Sequence, residues 1–140
     1  MFSEDKTEVA LIRKQKPEWQ KGKLNGIGGK CEIGEYDNFA MVREFKEETG
    51  NETSRDQWDL FCIMRGKNID DEEFEVVCFF TTGDLSKLKT METEVVEIHK
   101  LQDINPLRND MIENLCWLIS LALDGLQDGR PSYTRVEYFK

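Results

Sequence analysis

The chain has 140 residues and a formal net charge of −9, with 39% hydrophobic and 34% charged residues. That length suits one domain, 1–140, with a buried core, and that balance argues against a disordered or membrane-embedded chain. The acidic field opposes nucleic acid and anionic lipid as partners, yet admits a small phosphate-bearing ligand if a metal reverses the local sign.

The longest apolar run, Leu115–Leu123, is too short to span a bilayer. The first residues lack an apolar signal core, so the expected location is the cytoplasm. Cys31, Cys62, Cys78 and Cys116 are widely separated, with no C-x-x-C pair and a single histidine, His99. Four isolated thiols read as packing or inert residues in a reducing compartment, not as a zinc site.

Glu8–Gln15, "EVALIRKQ", reads as the first strand. The stretch "KPEWQKGKLNGIGGK" follows with one proline and four glycines and reads as a long loop. Asp37 then suits a helix N-cap, Asn38 to Thr49 lack Gly and Pro, and Gly50 suits a left-handed C-terminal stop. "WDLFCIMRGK" and "FEVVCFFTTG" are strand candidates joined by the acidic "NIDDEE", and "EVVEIHKL" is a further strand. A second helix is expected in "DMIENLCWLISLALDG", with Asp110 and Glu113 as a capping box, Gly125 as terminator and Trp117 in the core. The tail "SYTRVEYF" can return as an edge strand, and its aromatic character suits a homodimer contact. Strands interleaved with two helices predict an α/β fold in which helices flank a mixed sheet.

The first helix concentrates its chemistry. At about 100° per residue, Met41, Val42, Phe45 and Thr49 form a packing side, and Glu44, Glu47 and Glu48 gather on the other around Ala40. Acids at this spacing repel, and two of them sit near the helix C-terminus, where the macrodipole disfavours them. The spacing alone fits a solvated face or a hard divalent cation such as Mg²⁺ or Mn²⁺. The glycines just before the helix, Gly26, Gly28 and Gly29, allow close backbone approach, their carbonyls can complete a metal site, and Lys30 can meet a phosphate.

Gly29, Glu35, Arg43, Glu44, Phe45, Glu47, Glu48 and Gly50 fit G-x5-E-x7-R-E-U-x-E-E-x-G, where U is a bulky apolar residue. This resembles the signature box of the Nudix hydrolases, departing from it only in Asn51, where the family usually carries an apolar residue. The resemblance implies an α/β/α sandwich and metal-assisted hydrolysis of a nucleoside diphosphate linked to another moiety. It implies that Glu44, Glu47 and Glu48 hold Mg²⁺ or Mn²⁺ with the carbonyl of Gly28, and that Glu44 is the candidate base. Arg43 would orient a catalytic glutamate and Glu35 would support the loop. A later acid often joins the metal, and Glu92, with Glu94 as the alternative, is the candidate.

The loop before the box resembles that of nucleoside triphosphate-cleaving members, in which the Asn matching Asn25 touches the base, although Leu24 replaces the usual aromatic. Trp19 and Gly29 are further candidates for substrate contact. Asp110, Glu113 and Asn114 fall where relatives place base-reading groups, but capping already accounts for the first two. The marks of ADP-ribose, NADH and coenzyme A hydrolases are missing. A pyrophosphohydrolase acting on a small nucleotide triphosphate is therefore expected, ahead of a non-catalytic sensing domain or an RNA-end hydrolase.

Overall fold

A computed structural model describes residues 1–68, 70–128 and 133–139. In chain order the regular elements are β1 (Phe2–Ser3), β2 (Glu8–Arg13), β3 (Leu24–Asn25), α1 (Asp37–Thr49), β4 (Asp59–Lys67), β5 (Glu73–Phe80), β6 (Thr82–Gly83), β7 (Val95–Lys100), α2 (Leu115–Asp128) and β8 (Thr134–Glu137). The expected single mixed sheet is resolved into two. One has the order β3-β2-β1-β6, with β7 also on β2, and the other has the order β5-β4-β8. Each combines parallel and antiparallel pairings, because β1 meets β6 and β4 meets β8 in parallel. The architecture is an α/β sandwich of mixed sheets and two helices.

Strand β2 is the spine of the first sheet. Val9, Ala10, Leu11 and Ile12 are all buried, so both of its faces are covered and it reads as an apolar run without alternation. Strand β7 pairs antiparallel with its whole length, Glu8 opposite Lys100 through Arg13 opposite Val95. The pairing brings the segment before β7 alongside the end of β2. The core gathers Phe2, Val9 and Leu11 from the first sheet, Phe61, Cys62, Met64 and Phe80 from the second, and Leu115, Leu118, Ile119 and Ala122 from α2.

Several boundaries differ from the sequence expectations. Tyr36, not Asp37, occupies the N-cap of α1 and no side chain caps it; Asp37 sits inside the first turn, where its charge suits the helix dipole. Gly50 adopts the left-handed conformation at φ 69° and its N–H donates to Lys46 O, as the sequence implied.

The second helix starts at Leu115, because Pro106–Asp110 forms a separate 3-10 turn ahead of it. The expected capping box of Asp110 and Glu113 therefore caps nothing. Gly125 lies inside α2, its Cα facing the Phe80 ring, where an added Cβ would come within 3.1 Å. It is a packing glycine, not a terminator. Trp117 is exposed, contrary to its core assignment, since Leu118 and Ile119 are the residues that α2 turns inward. Cys31 is likewise exposed, while Cys62 is buried; partial desolvation and the neighbouring acid Asp37 push the Cys31 thiol up.

Candidate active site

The loop before α1 and the helix itself are tied together by one guanidinium. Arg43 donates Nε to Glu35 Oε1 and Nη2 to Glu35 Oε2, each at 2.9 Å, in a two-point clamp. Its Nη2 also donates to the Lys30 carbonyl at 3.0 Å, and its Nη1 donates to Glu44 at 2.8 Å and to Glu47 at 3.1 Å. Glu35 in turn accepts the Glu32 N–H at 2.9 Å, closing the loop on itself. The Arg43 side chain, followed by that backbone bond, holds the Glu35 carboxyl down at about 2. Arg43 and Glu35 thus orient the loop and two of the three box glutamates.

The third glutamate is placed differently. Glu48 is only 6% exposed and shares the buried side of α1 with Ala40, Phe45 and Thr49. The helical wheel separated the acids from the packing side too sharply. Glu48 and Phe45 are three residues apart and hence about 60° from each other on the helix. One hydrogen bond serves the Glu48 carboxylate among the described residues, from the Gly28 N–H at 2.9 Å. Burial pushes Glu48 up to about 7, the Gly28 bond and the charge of Lys14 opposing the rise, and Glu44 and Glu94 adding to it. Gly28 itself sits at φ 146°, a backbone region that favours glycine.

Gly29 is needed for another reason. A Cβ placed there would lie 2.3 to 2.6 Å from the atoms of the Glu44 carboxylate. The absence of a side chain lets Glu44 lie against the loop backbone.

The two later acids, Glu92 and Glu94, differ in their surroundings. Glu92 is exposed in the turn before β7, whereas Glu94 is part-buried beside the end of β2. Glu94 pairs with the Lys14 ammonium and accepts the N–H groups of Gln15 at 2.8 Å and Lys16 at 3.2 Å. Its own burial would raise its pKa, but those three donors together leave it lowered. Sequence reasoning missed Lys14, which bonds Glu94 and carries the positive charge acting on Glu48. Its signal was its place at the end of β2, the strand that β7 lines.

The remaining candidates are placed as follows. Asn25, in β3, donates Nδ2 to Gln20 Oε1 at 3.0 Å and accepts the Gly26 N–H at 2.7 Å, so its amide shapes the loop. Lys30 is exposed and contributes its carbonyl to Arg43. Trp19 stands 68% exposed on a 3-10 turn. Leu24 bridges Met111, and the Ile112 N–H donates to Leu24 O at 3.1 Å, joining the loop to the segment before α2.

The buried, hydrogen-bonded acid short of positive charge fits a hard cation. Glu44 and Glu47, however, are committed to Arg43, and among the described residues no three acidic, His or Cys side chains converge on one ion position. Holding an ion through all three glutamates requires new side-chain rotamers for Glu44 and Glu47.

A family model described as the NUDIX domain matches residues 1–118. The chain belongs to the Nudix family. It is accordingly a pyrophosphohydrolase, an enzyme of phosphoric anhydride bonds. Solved structures agree on the fold of this Nudix chain. A MutT protein from Bacillus halodurans superposes with a TM-score of 0.67 at 23% identity, covering 94% of this chain and 82% of that one. MutT from Aliivibrio salmonicida and Vibrio cholerae gives 0.65 at 22% identity, covering 88% and 92%. A Caenorhabditis elegans Ap4A hydrolase gives 0.56 at 15% identity, covering 88% and 89%. No curated protein matches the chain at a significant level. No helix among the described residues is long and apolar enough to cross a membrane.

Proposed function

We propose that this Nudix chain, a single domain over 1–140, is a Mg²⁺- or Mn²⁺-dependent nucleoside triphosphate pyrophosphohydrolase that works on the cytoplasmic nucleotide pool. The observation that carries the reading is Glu48, a buried carboxylate in the last turn of α1 that accepts the Gly28 N–H of the glycine loop. Such an acid forms no ion pair among the described residues, with Lys14 acting on it only through its charge, and suits a divalent ion brought by the substrate's phosphates.

Glu44, Glu47 and Glu48, with the Gly28 carbonyl, would hold that ion, and Glu94 would join from the β7 side. When bound, the ion supplies charge neutralisation on the phosphate oxygens and acidifies a water. Glu44 accepts the proton of the attacking water at its carboxylate, which lies against Gly29. The water oxygen forms the new bond to phosphorus as the anhydride bond breaks, and pyrophosphate leaves from the monophosphate. Arg43 holds Glu44 in place through its clamp on Glu35. Lys30 and the Gly29 backbone would meet phosphate, and Asn25 and Trp19 would contact the nucleoside. The net charge of −9 disfavours nucleic acid as substrate, and the tail strand suits a homodimer contact.

The competing substrate is a dinucleoside polyphosphate, favoured by the likeness to a protein named as an Ap4A hydrolase. A panel of nucleoside triphosphates, ADP-ribose and diadenosine tetraphosphate with Mg²⁺ or Mn²⁺, with both products identified, separates these readings. Monophosphate and pyrophosphate from triphosphates are expected. Orthophosphate alone would overturn the subclass, and no hydrolysis of any member would overturn the catalytic reading.

A further inference from the structure

Strand β8 forms one margin of the second sheet, whose order is β5-β4-β8. It lies parallel to β4, with Val136 opposite Met64 and Glu137 opposite Arg65. The margin of a sheet is a row of unpaired N–H and C=O groups, ready to accept another strand. Successive N–H groups along a strand point to opposite sides, and the Tyr138 N–H donates to Arg65 O of β4 at 2.9 Å. The backbone groups of Arg135 and Glu137 therefore point the other way, toward a margin that no described strand covers.

The side chains alternate as well. Val136 packs against the core, while Arg135 and Glu137 are exposed on the outer face. The same two-residue repeat, continued in both directions, reaches Tyr133, 50% exposed, and Phe139, 86% exposed. Glu137 stands beside Arg65 in register, but Arg65 is already paired with Glu75 of β5. Neither Arg135 nor Glu137 forms an ion pair among the described residues.

The tail YTRVEYF, 133–139, is complementary to its own reverse about Val136. A second copy laid antiparallel on that centre sets Arg135 opposite the second copy's Glu137, and Glu137 opposite its Arg135. These are the positions whose backbone groups face outward, so each pair exchanges both N–H···O bonds. Val136 meets Val136 on the two-fold axis as a non-hydrogen-bonded pair. The next hydrogen-bonded pair brings Tyr133 against Phe139, aromatic on aromatic. On the outer face the charges then alternate across the seam, from Glu75 to Arg65 to Glu137 to the second copy's Arg135. The opposite margin of the sheet lacks this property. Strand β5 carries Glu73 and Glu75 and no basic residue, so no register of β5 on itself pairs opposite charges.

We propose that β8 is a dimerisation strand, pairing antiparallel with β8 of a second copy so that two three-stranded sheets become one. The inference deepens the homodimer contact given with the proposed function, and its test reads mass and exchange rather than turnover.

Sedimentation of the full chain from about 1 to about 500 µM should show monomer passing to dimer. Over that series the amide exchange of Arg135 and Glu137 should slow, while the Tyr138 amide, already bonded to β4, changes little. Arg135→Glu sets acid against acid at both crossings and should weaken the dimer about ten- to a hundredfold. Glu137→Arg sets base against base and should do the same. An equal mixture of the two variants pairs opposite charges again and should dimerise, which only this antiparallel register allows. A wild type that stays monomeric, a dimer indifferent to Arg135→Glu, or a mixture that stays monomeric would overturn the proposal. So would unchanged exchange at Arg135 and Glu137 in a wild-type dimer, a measurement that needs no variant to fold. A dimer of this register that hydrolyses no nucleotide would uphold it while removing the pyrophosphohydrolase reading.

Discussion

The proposed phosphate end and the cluster around Met64 are built by opposite strategies. The phosphate end is local: Gly28, Gly29, Lys30, Glu35, Arg43, Glu44, Glu47 and Glu48 all lie within one loop and the helix that follows it. The Arg43 clamp needs only that segment to close. The cluster around Met64 is assembled from Leu24, Met64, Met111, Asn114 and Tyr138, contributed by both sheets and by the segment before α2. A local site is fixed by helix periodicity and short loops, and it tolerates drift elsewhere. A dispersed cluster depends on strand register, which many distant contacts set together.

The largest expected effect tests the buried acid. Glu48→Gln keeps an acceptor for the Gly28 N–H but removes the charge, and turnover should fall by about 10³-fold, within the range for essential acid–base groups. Steady-state kinetics with saturating Mg²⁺ measure it. Unchanged turnover would place the chemistry elsewhere than the phosphate end.

The same variant should be more stable than the wild type when metal is removed. Glu48 has its folded pKa raised to about 7, so between the unfolded value near 4.5 and 7 the native state binds more protons than the unfolded state. Stability from this group is therefore full below the unfolded pKa and declines as pH rises through 7. The decline is on the order of 3 kcal/mol for a shift of that size. Thermal melts in EDTA at pH 5 and pH 8 should show the decline in the wild type and not in Glu48→Gln.

A weaker blow falls on the clamp. Arg43→Lys keeps a charge but cannot span Glu35, Glu44 and the Lys30 carbonyl together, so kcat should drop about 10- to 100-fold, as for other supports of metal-site residues. Restored activity at high Mg²⁺ would assign the loss to metal affinity rather than to alignment. Gly29→Ala should be milder, about tenfold in kcat with little change in Tm, because the obstructed atoms are the movable end of the Glu44 side chain.

The smallest expected effect sharpens the choice between two acids. Glu94→Gln should lower activity more than Glu92→Gln, which should stay within about twofold of wild type as an exposed surface change. Equal losses would return Glu92 to the site.

Much of this molecule was legible in the order of its residues. The acidic spacing, the glycines before it, and the resemblance of Gly29 to Gly50 to a known box pointed to the family, to the acidic helix and to the Arg43–Glu35 support. Gly50 was also read correctly, since a left-handed stop is a property of the local backbone. The expectations that failed lay where local patterns compete with packing. Trp117 follows the helical repeat of α2 yet faces out, and Asp110 and Glu113 spell a capping box ahead of a helix that begins later.

The sequence by itself determined the acidic helix, its preceding loop and the family chemistry they imply, because those features depend on contacts only a few residues apart. Tertiary structure alone decided that Glu48 is buried while Glu47 is 49% exposed, that Glu94 pairs with Lys14 while Glu92 is exposed, and that Tyr138 meets Asn114 over Met64. Each of these depends on which sheet packs on which helix face and on the register of β7 against β2 and β8 against β4. Register is set by matching whole faces across the core, and a one-residue slip would turn every such side chain to the opposite face.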